Sequence, residues 1–269
     1  MYVLEPQLQV RNDCLLLYNL PTVTGPKTHI VSRKKAYSGQ VTQANTKRLR
    51  KAIDILVQQT QPKTTWNPVT KKHFPFRLNF VTLTVSDRKL IDTEFSRKNL
   101  LEPFLRKMRS MGVLSYVWKA EYQARGQIHY HLITSLFLPW QEIRSTWNNL
   151  QRKNRLLDDY AKRFKSFDPN STDVHAISEI SNLAAYLSKY LSKTNSAKIK
   201  GKVWDCSTDL KRKRFACTPT HHQEMLLRKL QNDKHVKVIE LDHCTLFKMK
   251  KPTRLLTTQQ RIDYIKWLS

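Results

Sequence analysis

Glu121, the short stretch Ala124-Arg125-Gly126, and the pair His129 and His131 follow one another closely in the chain. If that stretch closes a hairpin that pairs Glu121 with His129, Lys119 falls opposite His131; a bulge at Gly126 would shift the pairing by one. Strand side chains alternate, so Lys119, Glu121, His129 and His131 share one face. Leu114, Tyr116, Trp118, Ala120 and Tyr122 then share the other with Ile128, Tyr130 and Leu132, an apolar surface suited to a core. A single strand histidine is usually just a half-exposed polar residue. Two imidazoles facing a carboxylate can instead converge on one divalent cation and leave coordination positions open for a substrate. Mn²⁺ or Mg²⁺ suits phosphate chemistry, imidazole ligands favour Mn²⁺, and zinc stays open.

A second constellation lies downstream. Residues Ser181–Lys193 contain Tyr-Leu-Ser-Lys twice in tandem. At about 100° per residue, Tyr186, Lys189, Tyr190 and Lys193 fall on one stripe of a helix, and Ala184, Leu187 and Leu191 on another. An amphipathic helix with tyrosines at the rim of a core is the ordinary explanation of such a pattern. The chemical one is a nucleophile. A phenol with a pKa of about 10 is a weak nucleophile. A neighbouring ammonium favours the phenolate, and a cation on a phosphodiester stabilises the charge that attack develops. Together these groups describe transesterification of a phosphodiester by tyrosine, which needs no nucleotide energy source.

The composition supplies the substrate. In 269 residues, 48 Lys and Arg outnumber 21 Asp and Glu, giving a formal charge of +27 and a pI near 10.1. Such a chain repels itself unless a polyanion neutralises it, and nucleic acid is the default partner. Lys119, Arg125, Lys47, Arg48, Arg50 and Lys51 are the candidate phosphate contacts. Trp66 near Lys71-Lys72 and Trp204 near Lys200 and Lys202 could stack on unpaired bases, although packing is the commoner role for each. With only 5 glycines, and none in G-x-x-x-x-G-K-[ST] or G-x-G-x-x-G, no nucleotide cofactor is expected. There is no apolar run of about 18 residues and no signal-peptide pattern, so a cytoplasmic protein without a membrane partner is expected. Cys14, Cys206, Cys217 and Cys244 form no C-x-x-C pair and read as small apolar groups. His175 is the strongest histidine outside the H-x-H pair.

The elements that must hold these groups follow from periodicity. Residues 1–40 read as irregular or short-stranded. A helix is expected over 41–59, with Leu49, Ile53 and Leu56 on one stripe beside the cations. Residues 60–76, with Pro62, Pro68 and Pro75, read as a linker. Arg77–Val85 reads as a strand buried on both faces, Leu101–Met111 as a helix ending at Gly112, and 113–122 and 127–135 as paired strands. A helix over 139–152, a polar loop over 153–172, a strand at 174–177 and the tyrosine helix follow. A helix near 219–231 and strands near 236–241 and 244–249 close the chain. Antiparallel strands with helices over one face make an α+β fold.

These motifs resemble those of the HUH superfamily of rolling-circle replication initiators and related transposases. Phe80-Val-Thr-Leu-Thr-Val-Ser86 resembles the first motif, and Glu121 through His129-Tyr-His131 the metal motif with its upstream acid. Tyr186-Leu-Ser-Lys189-Tyr190-Leu-Ser-Lys193 resembles the catalytic motif of the two-tyrosine branch, found in bacteriophage initiators and Helitron-type transposases. The likeness covers about residues 76–195; Tyr130 replaces the usual aliphatic between the histidines. It implies an RRM- or ferredoxin-like antiparallel palm with flanking helices, a divalent metal, and nicking and rejoining of single-stranded DNA at an origin, with or without a hairpin. It also implies a 5′-phosphotyrosine and a free 3′-OH, with Tyr190 the principal nucleophile and Tyr186 the resolving one. Host helicase and polymerase would be partners. A domain plan follows: a basic DNA-docking segment over 1–74, the endonuclease domain over 75–250, and a tail over 251–269. A transposase of the same chemistry, or a non-catalytic binder of single strands on an RRM-like sheet, remain alternatives.

Overall fold

The computed structural model describes residues 3–10, 14–22, 39–60, 62–87, 92–123, 126–177, 187, 191, 199–211, 216–234, 236–241 and 244–249. The chain divides into two compact units, one of Lys35–Arg212 and one of Met1–Lys34 with Lys213–Ser269. These boundaries differ from the expected 74/75 and 250/251, because the helix over 43–59 packs on the sheet that follows it. Among the described residues, no helix is long and apolar enough to cross a membrane.

The larger unit is built on β5 (Leu78–Thr84), β6 (Tyr116–Tyr122), β7 (Ile128–Thr134), β8 (Thr172–Ile177) and β9 (Trp204–Cys206). All pair antiparallel in the order β8-β5-β7-β6-β9. Between β5 and β6 run α2 (Thr93–Ser96), a π-helical turn at Arg97–Leu101, and α3 (Glu102–Ser110). Between β7 and β8 run α4 (Trp140–Lys153) and α5 (Asp158–Phe164). A β-α-β-β-α-β run with this strand order is the ferredoxin-like arrangement, to which β9 adds an edge. The fold is α+β, as expected.

Each face of the sheet has its own core. Val81, Leu83, Trp118, Tyr130 and Leu132 meet Phe104, Met108, Ile143 and Trp147 of α3 and α4. On the opposite face Leu78, Val117 and Ile133 meet Leu49, Ile53 and Leu56 of α1 (Gln43–Gln59), and Leu187 and Leu191. Helices thus cover both faces, not one, which explains why β5 through β7 are apolar in both phases. Thr42 caps α1, its side chain accepting from the Asn45 N–H at 3.2 Å. Arg77 ties the end of α1 to β5 by donating to the carbonyls of Val57 (2.8 Å) and Thr60 (3.0 Å).

Three expectations are corrected. The stretch read as a linker is a hairpin of β3 (Lys63–Asn67) and β4 (Lys72–Phe76). Asn67 turns it by accepting from the N–H groups of Val69 and Thr70, and Pro75 is tolerated because a two-stranded sheet leaves unpaired edges. The polar 153–172 stretch contains α5. Leu114, placed by alternation on the apolar face, precedes β6 and is 75% exposed. Of the first forty residues, read as irregular or short-stranded, the described part is stranded: β1 (Val3–Val10) pairs along its whole length with β2 (Cys14–Thr22).

That hairpin belongs to the smaller unit. Its sheet runs β10-β1-β2-β12-β11, with β10 at Ala216–Cys217, β11 at Val236–Leu241 and β12 at Cys244–Met249. Leu8, Leu15, Val236 and Phe247 form a core with Leu227 of α6 (His221–Gln231), whose Thr220 and Gln223 make a reciprocal cap.

Trp147 is the hub of the α4 side. It is fully buried, lies edge-on to Phe104 (5.6 Å) and Tyr130 (6.2 Å), and donates its indole N–H to the Thr84 carbonyl at 2.8 Å. Trp147→Ala should lower the unfolding free energy by about 3–5 kcal/mol, measured by urea denaturation.

Candidate active site

The β6–β7 register is the one the sequence suggested: Glu121 lies opposite His129, and Lys119 opposite His131. All four side chains occupy the sheet face covered by α1. The same register continues across neighbouring strands, so Asp173, Thr82, His131, Lys119 and Trp204 form one row over five strands.

Hydrogen bonds fix the orientation of both imidazoles. His131 Nε2 donates to Glu121 Oε1 at 2.6 Å, since a carboxylate can only accept, and its Nδ1 lies 3.2 Å from the Thr82 hydroxyl. Thr84 Oγ1 lies 3.1 Å from His129 Nε2. Phe80 flanks the His131 ring at 5.7 Å. Thr82 and Thr84 escaped the sequence reading, although their alternation with Phe80 along β5 carried the signal.

Lys119 is the unexpected member. Its side chain is completely buried, and its ammonium pairs with Glu121 Oε2 at 3.4 Å. A cation in that position neutralises the carboxylate from within the sheet rather than standing on an accessible DNA-facing surface. The hydrogen bond from His131 holds the Glu121 carboxyl down to about 2 against the opposing effect of burial, and Lys119 adds to it. Burial pushes His129 down to about 4, helped by the adjacent His131. At neutral pH the site therefore offers an ionised carboxylate beside a neutral imidazole.

These are the donor types a divalent cation takes. Their arrangement here is an ion pair rather than a cage: Glu121 is engaged by His131 and Lys119. Among the described residues, no three His, Cys, Asp or Glu side chains form a group ready to hold a metal. Donor chemistry fits a cation in kind, and one binding between Glu121 and His131 would replace the proton that now joins them.

Tyr186, Lys189, Tyr190 and Lys193 lie outside the described residues, as does Arg125. Their neighbours Leu187 and Leu191 are helical and fully buried, in the same cluster as Val117, Ile133 and the partly buried Phe80. These two leucines therefore lie on the face of the sheet that carries His129, His131 and Glu121. Residues 78–195 match the family model for replication-associated proteins of the ORF2 and gene-2 protein type. The matched stretch begins with β5 and extends beyond Leu191, so it contains both constellations. It supports a part in DNA replication, and with it DNA as a partner. No curated protein and no solved structure matches the chain.

On α1, Lys47, Arg48 and Arg50 are exposed and Lys51 is half-buried, opposite the stripe of Leu49, Ala52, Ile53 and Leu56. His175 is exposed and bonds Asp173 at 2.8 Å, two strands from His131. Trp66 is 48% exposed on the β3–β4 hairpin and leans on His73 at 5.1 Å. On β9, opposite Trp118, Asp205 accepts from Lys202 (2.7 Å), Lys211 (2.9 Å) and the Cys206 N–H (2.9 Å). Burial works to raise the Asp205 carboxyl, but these donors outweigh it and hold it below the usual range. Burial likewise pushes the Cys206 thiol up to about 11 and leaves it unreactive.

Two outcomes follow. Glu121→Gln should cost about 1.5–3 kcal/mol in chemical denaturation, because the buried Lys119 loses a charged acceptor. Adding Lys119→Met should restore much of that loss. Asp205→Asn should destabilise the protein at neutral pH. A carboxyl lowered from its unfolded value of about 3.9 contributes stability that is complete above that pH and lost as pH falls through the folded-state value. The gap between wild type and Asp205→Asn should therefore close below about pH 4 when unfolding midpoints are followed down in pH.

Proposed function

We propose that the chain initiates rolling-circle replication by nicking and rejoining single-stranded DNA at an origin through a covalent tyrosine link. One observation carries this reading: Glu121, His129 and His131 share a sheet face with the buried Leu187 and Leu191, each of which directly follows a tyrosine in sequence. The replication-associated family match over residues 78–195 favours an initiator over a transposase.

Glu121, His129 and His131 would hold Mn²⁺ or Mg²⁺, which when bound polarises the scissile phosphate and offsets charge developing on its oxygens. Thr82 and Thr84 keep the imidazoles turned toward that position. Lys119, behind Glu121, keeps the carboxylate ionised. The Tyr190 oxygen, its proton released to solvent and its phenolate favoured by Lys189 and Lys193, attacks phosphorus. The new P–O bond joins tyrosine to the 5′-phosphate of the downstream fragment. The P–O3′ bond breaks, and the departing oxygen takes up a proton to become a 3′-OH suited to priming. Bond energy is conserved in the phosphotyrosine, so a 3′-OH can attack it, re-form the P–O3′ bond and release the tyrosine without a nucleotide cofactor, while Tyr186 stays available for a second cleavage. The basic face of α1, with Lys47, Arg48 and Arg50, gathers the strand by neutralising phosphates.

The test is a denaturing gel of full-length protein incubated with 5′- and 3′-labelled single-stranded origin DNA and Mn²⁺. A covalent adduct should form that retains the 3′-labelled fragment. It should fall at least about 100-fold in Tyr186→Phe/Tyr190→Phe and in His131→Ala, the scale typical of lost nucleophilic or charge-stabilising groups. Salt-sensitive binding with no cleavage, or cleavage unaffected by those substitutions, would leave a non-catalytic single-strand binder or another nuclease chemistry.

A further inference from the structure

A cavity of about 450 Å³ opens between α1 and β9, within the larger unit. Arg48 and Lys51 contribute from the helix, Trp204 and Asp205 from the strand, and Lys211 from the turn beyond it. Asn45 adds an amide. The charged lining is three cations against one carboxylate, and that carboxylate is already satisfied by Lys202, Lys211 and a backbone N–H. What remains is an indole flanked by excess positive charge.

The volume falls within the usual range of about 300–1,000 Å³ for small-ligand sites. Its lining does not suit an apolar metabolite. An aromatic face takes a planar ring, Arg48 and Lys51 take an anion, and the Asn45 amide can both donate and accept at a polar edge. One ligand class has all three parts: a nucleotide with its base exposed. A stacked duplex cannot deliver a base into a concavity, so the source is an unpaired strand.

Position agrees with chemistry. Trp204 pairs with Lys119, and Lys119 with His131. With strands about 4.8 Å apart, the Trp204 backbone lies about 10 Å from that of His131 on the same sheet. Gly39 closes one side of the cavity at φ +71°, its carbonyl accepting from the Ile199 N–H at 2.9 Å. A Cβ there would lie 2.5 Å from the Ile199 carbonyl oxygen, so the wall requires glycine.

We propose that this cavity is a base-holding subsite for the single strand. One unpaired nucleotide stacks on Trp204, and Arg48 and Lys51 bind its phosphate. The assignment rests on the single-stranded DNA reading above and adds to it a fixed point at which the strand is gripped beside the reacting groups. Trp204 and Lys51 are binding residues here and take no part in the bond-making step.

Full-length protein is titrated against a fluorescently labelled oligothymidine strand, with anisotropy as the readout, and separately against thymidine monophosphate. Trp204→Leu should weaken strand binding about tenfold, within the range for loss of one stacked base, and Trp204→Phe should restore most of it. Arg48→Gln with Lys51→Gln should weaken binding and flatten its salt dependence by about 0.7 in log–log slope for each phosphate no longer neutralised. A 5-iodouracil in the strand should photocrosslink to Trp204 of the unmodified protein, which needs no variant to fold. Wild-type affinity in Trp204→Leu together with crosslinks that map elsewhere overturns the proposal. So does monophosphate binding as tight as that of the strand, which marks a free-nucleotide site. Adduct formation is read independently. Trp204-dependent binding without an adduct sinks the nuclease alone, and an adduct with Trp204-independent binding sinks the subsite alone.

Discussion

The carboxylate of Glu121 is held from two sides, by the His131 imidazole at 2.6 Å and the buried Lys119 ammonium at 3.4 Å. This arrangement sits on the sheet face whose core residues Leu78, Val117 and Ile133 pack against α1 and against Leu187 and Leu191. An isolated charge there would be strongly disfavoured. The three groups are tolerable only together, and only while β6 and β7 keep one register. A slip of one residue would send Lys119, Glu121 and both imidazoles into the core of Phe104, Met108 and Trp147. The site chemistry and the specificity of the fold are therefore set by the same hairpin.

This coupling explains why the register of the hairpin was legible in sequence. Gly126 takes φ +80° at the turn, and the alternation of Tyr116, Trp118 and Ala120 against Ile128, Tyr130 and Leu132 fixes which residues face each other. The strand at 78–84 and the helices at 43–59, 102–110 and 140–153 came from equally local patterns. What local pattern cannot report is which layer covers a face. Lys119 read as an exposed phosphate contact because a lysine beside a glutamate usually is one. Its burial depends on a layer supplied by distant parts of the chain, which leaves no mark on its own strand. The cavity at Trp204 was hidden for the same reason, since two of its cations, Arg48 and Lys51, come from a helix some 150 positions upstream of its indole.

The misread segments have a common cause. Proline was taken as a sign of a linker at 60–76, and the chain before residue 40 was read as irregular or short-stranded. In both places the proline sits where its strand has a partner on one side only, so a missing N–H costs little: Pro75 in the two-stranded β3–β4 sheet, Pro6 beyond the reach of β10, and Pro21 beyond that of β12. Leu114 failed in the opposite sense, because an alternating pattern extends past the end of the strand it describes.

The smaller unit joins the two ends of the chain in one sheet, with β2 lying against β12. During synthesis the leucine-rich hairpin that ends at Thr22 emerges long before its neighbour at Cys244–Met249. At about 5–20 residues per second the wait is tens of seconds. Over that interval the contiguous stretch 35–212 can complete its own sheet while the first hairpin still presents an open edge. The stretch 35–212 can thus mature before the sheet that flanks it in sequence, and exposure to chaperones and to self-association is concentrated in the waiting β1–β2 hairpin.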